Sequence, residues 1–377
     1  MIYVVKSGDT INTIARNYGT SPDEIALING LENPDALVIG QSIYISDNIT
    51  EKYYNLQING YAYSFIKKDV LENTFKYLTF VTFFTYGFTE EGKLIEPQTE
   101  ENLQTVKESN VKPIMLISTL TSEGGFSNEL ANKILNDEYS QDILIENIVN
   151  NIEEKGYYGL DIDFEFILPE DKENYSGFVR KAKEKLSEKG YILIVSLAPK
   201  TSSDQKGLLY EAHDYYAIGQ IADYVLIMTY EWGYTYGPPM AVAPINKVIE
   251  VLNYAVSEIE REKIFMGVPN YGYDWRMPYI RGETKAQSIS NTEAINRAVR
   301  YNAEIMFDEL AMSPYYEYTD EEGNGHIVWF EDARSIEAKT GLVYRYGFTG
   351  ISIWNIMNLF TQGYNLIYDS FNVVKKI

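Results

Sequence analysis

Three acidic residues alternate along one short segment of this 377-residue chain. In a β-strand alternate residues share a face, so Asp161, Asp163 and Glu165 would point the same way, with neighbours spaced by roughly 6.6 Å. Carboxylates crowded on a buried face cannot all ionise, so at least one keeps a proton near neutral pH. The segment therefore predicts acid–base chemistry. The residues that flank and separate the three acids are apolar: Leu160, Ile162, Phe164 and Phe166.

The composition leaves few other groups able to do chemistry. The chain has no cysteine, which excludes disulfides and thiolates, and its two histidines, His213 and His326, argue against a histidine-based metal site. We therefore predict that no metal and no cofactor is needed. The net charge of −22 argues against binding to nucleic acid or to anionic membranes. No run of about 18 apolar residues exists, so no membrane span is predicted.

From residue 54 onward, short apolar runs alternate with helical patterns. Strands that are apolar almost throughout indicate a parallel sheet buried on both faces. Eight strand–helix units are the number that closes a (β/α)8 TIM barrel, so we predict an α/β fold of this type. A doubly wound open sheet is the alternative. The candidate strands are 55–62, 77–85, 113–118, 157–165, 191–198, 223–230, 263–271 and 348–354.

The rest of the chain divides into smaller units. Residues 1–47 form a small βααβ module, and the polar segment 48–53 is predicted to be a linker to the barrel at 54–377. The connection between barrel strands seven and eight is unusually long. It predicts a small α+β insertion at roughly 276–346, with a hairpin that turns at 323–325.

The barrel gives the three carboxylates unequal positions. The C-terminal ends of barrel strands face the active site, and Glu165 stands nearest to that end of the fourth strand. It is therefore the natural proton donor. An edge strand with a wet acidic face is the structural alternative. The wholly apolar opposite face argues against it, and burying uncompensated charge without a function is costly.

The acidic segment resembles the D-G-x-D-x-D-x-E signature of the chitinase-like family 18 glycoside hydrolases. Gly159, Asp161, Asp163 and Glu165 match it, and Tyr158 replaces the first aspartate, at the position furthest from the substrate. The resemblance implies retaining hydrolysis assisted by the substrate's own acetamido group, an exception to the usual two-carboxylate scheme. Glu165 would be the general acid and base, Asp163 would orient the acetamide, and Asp161 would tune Asp163.

Other strand ends agree with this resemblance. Residues 228–231 resemble the family's M-x-Y-D/E motif, which implies that Tyr230 holds the acetamido oxygen. Trp354 sits where the family places a tryptophan beneath the sugar ring. The predicted substrate-binding residues are Trp354, Met228, Glu231, Asn270, Tyr271, Tyr61 and Phe83.

Two segments, 228–233 and 268–275, look like bacterial spore-cortex-lytic N-acetylglucosaminidases of the SleL/YaaH type. That resemblance implies peptidoglycan, an N-acetylglucosamine-containing glycan, as the substrate. Three alternatives stay open. The chain could be a chitinase or another N-acetylglucosaminidase, a chitinase-like lectin, or a coat protein that merely retains the fold. The lectins usually lack the acidic glutamate that is present here.

The N-terminal module resembles a LysM domain almost end to end. The resemblance implies that N-acetylglucosamine chains lie in a groove between the loops 8–11 and 31–37; a folded module that has lost binding is the alternative. We expect Asp9 to cap the first helix and 21–24 to form a capping box at the second. The matching segments are 5–10, 14–15, 29–31 and 38–43. The predicted glycan-binding residues are Gly8, Asp9, Thr10, Ile11, Leu31, Asn33 and Pro34.

The start of the chain, 1–6, runs directly into this module and lacks the basic region, apolar core and cleavage site of a signal peptide. Together with the glycan-binding module and the lack of cysteine, this predicts a protein made in the mother cell and deposited on the coat or cortex of the developing spore. We also expect a monomer, although no feature of the sequence fixes the oligomeric state. A phage or cell-wall autolysin released by lysis is the alternative.

Overall fold

The structure, a computed structural model, describes residues 1–47, 52, 54–121 and 125–376, so the predicted linker at 48–53 lies outside the described residues apart from Lys52. The strands are β1 (Ile2–Val4), β2 (Ser42–Tyr44), β3 (Asn55–Tyr63), β4 (Phe80–Phe88), β5 (Leu94–Ile95), β6 (Lys112–Ser118), β7 (Gly159–Asp163), β8 (Ile192–Leu197), β9 (Tyr224–Ile227), β10 (Ile264–Pro269), β11 (Gly272–Arg276), β12 (Gln287–Ile289), β13 (Met306–Asp308), β14 (Ser313–Thr319), β15 (Gly325–Trp329), β16 (Gly350–Trp354) and β17 (Asn372–Val373). The helices are α1 (Ile11–Tyr18), α2 (Pro22–Asn29), α3 (Lys68–Thr74), α4 (Glu100–Lys107), α5 (Asn128–Asn136), α6 (Glu138–Lys155), α7 (Lys172–Glu188), α8 (Tyr215–Ile221), α9 (Ile245–Glu258), α10 (Asn291–Arg300), α11 (Ala333–Tyr346) and α12 (Thr361–Ser370). None of these described helices is long and apolar enough to cross a membrane.

The N-terminal module pairs β1 with β2 in an antiparallel sheet against α1 and α2. Thr10, not Asp9, caps α1: its hydroxyl accepts the backbone N–H of Thr13. The prediction for Asp9 was wrong, because its carboxylate is held by the Tyr3 hydroxyl at 2.6 Å and the Lys6 N–H at 2.8 Å. The sequence places several polar residues at the start of this helix, and it does not show which side chain accepts the first free N–H group.

Of the two hydrogen bonds in the capping box predicted at the start of α2, one is present. The Ser21 hydroxyl accepts the backbone N–H of Glu24, as predicted. The Glu24 carboxylate does not return to the cap, because it accepts the Thr20 hydroxyl at 2.6 Å.

The large domain is the predicted closed barrel. Eight parallel strands follow the order β3-β4-β6-β7-β8-β9-β10-β16, and the pairing of β16 with β3 closes the cylinder. Several strands are shorter than their apolar runs. The fourth barrel strand ends at Asp163 and the sixth at Ile227, so Glu165 and Tyr230 lie on the turns that leave the barrel mouth.

The insertion is a five-stranded antiparallel sheet, in the order β12-β11-β15-β14-β13, with α10 beside it. Its hairpin of β14 and β15 turns where the sequence predicted. The predicted bounds of 276–346 were wrong at both ends: the sheet begins at Gly272 and ends at Trp329. Helix α11 is the barrel helix that precedes β16, and the sequence alone does not separate it from the insertion.

One buried amide, that of Gln362, makes several of the hydrogen bonds that join the module to the barrel. Gln362 of α12 donates to the Asn29 side chain at 2.8 Å and to the Ser42 carbonyl at 2.9 Å. Its oxygen accepts the backbone N–H of Ala333 at 2.9 Å. Because Gln362 is 1% exposed, losing these bonds would leave buried polar groups unpaired, at a cost of about 1–3 kcal/mol each.

We expect Gln362→Ala to lower the free energy of unfolding by about 2 kcal/mol, because it leaves buried groups on both sides of the interface without partners. Urea unfolding followed by circular dichroism measures the loss. The matched control is Gln220→Ala on the exposed side of α8, which should stay within about 0.5 kcal/mol of the unmodified chain. Equal effects of both changes would show that the amide does not hold the module.

Candidate active site

A cleft of about 860 Å³ opens at the C-terminal ends of the barrel strands, where the predicted fold places the active site. Its floor carries Asp163 and Glu165, and its walls are largely aromatic, which suits the apolar faces of sugar rings. The aromatic lining residues are Tyr61, Tyr63, Phe84, Phe126, Phe166, Tyr210, Tyr230, Trp232, Tyr234 and Trp354.

Asp161 lies deepest in the acidic column and is fully buried. Its two carboxylate oxygens accept hydrogen bonds from the Tyr61 hydroxyl at 2.5 Å and the Ser196 hydroxyl at 3.1 Å. Burial raises the pKa of Asp161 to about 6, and the two hydroxyl donors restrain that rise by stabilising the charged form.

Asp163 and Glu165 continue the column toward the cleft. Burial, followed by the charges of Glu165 and Asp161, holds the pKa of Asp163 well above its usual range. Burial, followed by the charge of Glu231, raises the pKa of Glu165 to about 7. The Oδ1 atom of Asp163 is buried and accepts no hydrogen bond from any described residue. Glu165, partly exposed to the cleft, therefore combines access with a retained proton.

Glu231 is the second acid beside the proposed donor. Its backbone is left-handed, with φ 67°, and its carboxylate accepts hydrogen bonds from the hydroxyls of Tyr271 and Tyr273. Burial raises its pKa, and the two phenols lower it. Within the described part of the chain, no group of three His, Asp or Glu side chains could together hold a metal ion.

Tyr230, Met228 and Trp354 all line the cleft. Tyr230 fits against β10 only because Gly267 has no side chain, since a Cβ there would lie 2.7 Å from the tyrosine ring. Trp354 packs edge-on against Phe84, with ring centroids 5.1 Å apart. The rings of the cleft thus support one another and hold a fixed surface.

Three of the predicted substrate-binding residues do not line this cleft. Phe83 is fully buried in the core outside the barrel, so its prediction was wrong by one residue: Phe84 faces the mouth. Asn270 donates to the carbonyls of Asn355 and Asn358, both at 2.9 Å, and holds the last barrel loop. Tyr271 donates a hydrogen bond to the carboxylate of Glu231, which does line the cleft. The alternation of the strand could have identified Phe84. Residues two apart share a face, and the polar Thr82, which donates to Asn59 of the neighbouring strand, lies on the same face as Phe84.

The apolar face of the acidic strand packs as the alternation predicts. Phe164 stacks on Tyr175 and Phe178 of α7, with centroids 5.9 and 5.6 Å apart. Tyr158, which replaces the first aspartate of the signature, packs on Phe80 at the far end of the barrel. That replacement therefore changes packing far from the cleft.

His213 is a buried residue that the sequence did not single out as part of the site. Its Nδ1 accepts the backbone N–H of Ala198, and its Nε2–H donates to the carbonyl of Phe164, both at 2.9 Å. Burial lowers its pKa to about 4. The neutral ring thus ties the residue before Glu165 to the end of β8.

Six of the seven predicted glycan-binding residues of the module are accessible to solvent, and one is buried. Gly8, Thr10 and Asn33 are exposed, and Asp9, Leu31 and Pro34 are partly exposed. Ile11 is only 2% exposed and belongs to the module's core, so its side chain does not face a ligand. A hydrophobic first residue of α1 packs inward because the helix lies on the sheet.

The cleft at the barrel mouth can hold a sugar against its aromatic rings while Glu165 gives up a proton, so the fold and the site together define a glycoside hydrolase. The model of the glycosyl hydrolases family 18 matches residues 50–358, and the LysM domain model matches residues 3–46. The chain belongs to glycosyl hydrolase family 18 and carries a LysM domain.

Individual relatives extend this similarity over the whole chain. The cortical fragment-lytic enzyme of Bacillus subtilis (strain 168) is 38% identical over 428 residues, covering 100% of this chain and 99% of the relative. The crystal structure of the Bacillus megaterium QM B1551 spore cortex-lytic enzyme SleL matches with a TM-score of 0.95 at 37% identity, covering 100% of this chain and 99% of that one. A chitinase from Chromobacterium violaceum is more distant, with a TM-score of 0.77 at 25% identity, covering 84% of this chain and 98% of that one.

The raised pKa of Glu165 predicts a pH-dependent stability difference. The folded chain holds this proton up to pH about 7, whereas an unfolded glutamate releases it near 4.5, so the carboxyl destabilises the fold progressively as pH rises through that window. Glu165→Gln should match the unmodified chain below pH 4.5 and exceed its free energy of unfolding by about 1–3 kcal/mol at pH 7.5. Urea unfolding at a series of pH values tests this.

The exposed Glu170 provides the control, and Glu170→Gln should track the unmodified chain at every pH. Parallel curves for Glu165→Gln and the unmodified chain would show that Glu165 holds no proton near neutral pH.

Proposed function

We propose that this chain hydrolyses the N-acetylglucosaminidic bonds of spore-cortex peptidoglycan. The observation that carries the proposal is the carboxyl of Glu165, with a pKa of about 7, held at the floor of an aromatic cleft above Asp163. The names of the full-length relatives, which describe cortex-lytic enzymes, supply the substrate.

In the first step Glu165 protonates the glycosidic oxygen as the bond between that oxygen and the anomeric carbon breaks. The acetamido oxygen of the same sugar attacks the anomeric carbon and forms a cyclic oxazolinium ion. Asp163 accepts the acetamido N–H and stabilises the positive charge, and its unpaired Oδ1 supports this role. The Tyr230 hydroxyl, which lines the cleft, donates to the acetamido oxygen and fixes its direction of attack.

In the second step Glu165, now a carboxylate, removes a proton from water that attacks the anomeric carbon. The oxazolinium ring opens, the acetamide is restored and the anomeric configuration is retained. Asp161, with the hydroxyls of Tyr61 and Ser196, governs how much charge Asp163 carries through both steps. Trp354 supports the sugar ring from below.

The remaining parts of the proposal concern place and partner. The chain acts as a monomer at the coat or cortex of a spore, with the LysM domain holding the glycan. The spore cortex-lytic relatives from Bacillus support a spore-related site of action.

A chitinase is the second candidate, because the fold is shared with the chitinase from Chromobacterium violaceum. That likeness covers 84% of this chain, whereas the cortex-lytic similarity covers all of it. The presence of Glu165 disfavours a lectin. A coat protein without activity would have no use for a carboxyl that keeps its proton near neutral pH, so Glu165 also disfavours that alternative.

Glu165→Gln should fold normally and lose at least about 10²-fold in the rate of glycan cleavage, because the amide cannot donate a proton to the glycosidic oxygen. Release of reducing ends from purified cortex measures the rate, and circular dichroism verifies the fold. Glu170→Gln is the matched control and should keep the full rate. Near-normal turnover by Glu165→Gln would refute the proposed acid.

Purified spore cortex and colloidal chitin should separate the two candidate functions. We expect cleavage of cortex to be at least about tenfold faster, and mass spectrometry should find N-acetylglucosamine at the new reducing ends. Faster cleavage of chitin would identify a chitinase, and muramic acid at the new ends would show that the other bond of the polymer is cut.

A further inference from the structure

A second cavity, of about 210 Å³, lies between the LysM domain and the barrel insertion. One wall is the loop that follows α2, with Leu31 and Asn33. The other wall is α10, with Asn296 and Arg300. The cavity shares no lining residue with the catalytic cleft, so it is a separate place on the molecule.

The lining suits a sugar better than a purely apolar ligand. Leu31 and Val299 contribute an apolar surface, and polar groups surround it. The Asn296 side chain makes no hydrogen bond to another described residue. Arg300 makes only a 3.5 Å ion contact with Glu293, which leaves most of its N–H groups free. An N-acetylated sugar offers the matching parts: an apolar ring face, hydroxyl edges and an acetamide.

The two walls are held at a fixed distance. The backbone N–H of Ile305, just after α10, donates to the Ile39 carbonyl at 2.9 Å, and Arg334 donates to the Gly40 carbonyl at 3.1 Å. A Cβ on Gly40 would lie 1.8 Å from the Ile305 carbonyl oxygen, so only glycine allows this approach. A preformed cavity loses little ordering entropy when a ligand binds.

We propose that this cavity is a composite glycan site, formed by the LysM loop at 31–37 on one side and by α10 of the barrel on the other. None of residues 8–11, the other side of the predicted LysM groove, lines it. Its ligand is a strand of β-linked N-acetylated amino sugars, contacted by the loop at 31–37 and by α10 together. This inference rests on the proposed function only for the choice of glycan as the ligand. The LysM domain thus binds glycan as part of the whole chain, not as an independent attachment.

Hydrogen exchange of the full Glu165→Gln chain locates the ligand, with the hexamer of N-acetylglucosamine as the probe. The expected result is slower exchange in the loop 31–37 and in α10 at the same hexamer concentration, in addition to any change at the cleft. Protection of 31–37 without protection of α10, or of neither segment, would overturn the proposal.

A pair of matched variants tests the contribution of α10 to binding. In the Glu165→Gln chain, the double change Asn296→Ala and Arg300→Ala should weaken retention on insoluble cortex at least fivefold. Arg281→Ala removes an exposed arginine of the same insertion that does not line the cavity, and it should change retention less than twofold. Equal retention of the double variant and its parent overturns the proposal.

Hydrolysis separates this inference from the proposed function. With Glu165 present, the double variant should cleave a soluble trimer of N-acetylglucosamine at the rate of the unmodified chain, because α10 does not line the cleft. If the unmodified chain cleaves nothing, the proposed function fails while the retention and exchange results still decide on the composite site.

Discussion

The crowding of three carboxyl groups within and just above a closed barrel is the constraint on which the site depends. Such groups are tolerated only if they are protonated, paired or hydrogen-bonded. Two hydroxyls restrain the rise in the pKa of Asp161. The pKa values of Asp163 and Glu165 are also raised, and no such hydroxyl of a described residue restrains them. The same packing that makes the charges costly thus keeps a proton where a glycosidic oxygen can receive it.

The barrel strands end before the residues that line the cleft, so Glu165 and Glu231 lie on the turns that follow these strands. The fourth strand stops at Asp163, and Phe166 and Glu231 adopt left-handed backbone, with φ 56° and 67°. Such conformations cost about 1–3 kcal/mol in a residue other than glycine and persist where surrounding contacts fix them. Here the Tyr271 and Tyr273 hydroxyls fix the Glu231 carboxylate, so strain at the mouth is offset by bonds that also define the site.

The sequence predicted the barrel, the insertion hairpin and the acidic column, because each leaves a local pattern of alternation, apolar runs or turn residues. The sequence-based prediction was wrong where two adjacent residues of the same type could each face the cleft. Phe83 and Phe84 are both aromatic, and only the strand register shows which faces the cleft. Ser196 and His213 lie 35 and 49 residues from their partners Asp161 and Phe164, and no local pattern records a contact that the fold alone creates.

The imidazole of His213 also sets a lower limit on the pH that the folded chain tolerates. Because Nδ1 accepts a backbone N–H and Nε2–H donates to a carbonyl, only the neutral ring satisfies both neighbours. Its pKa of about 4, against 6.5 in the unfolded chain, means that this contribution to stability is complete above pH 6.5 and is lost as the medium is acidified toward 4 and below. In acid the chain would therefore lose the geometry around Glu165 while Glu165 itself stays protonated.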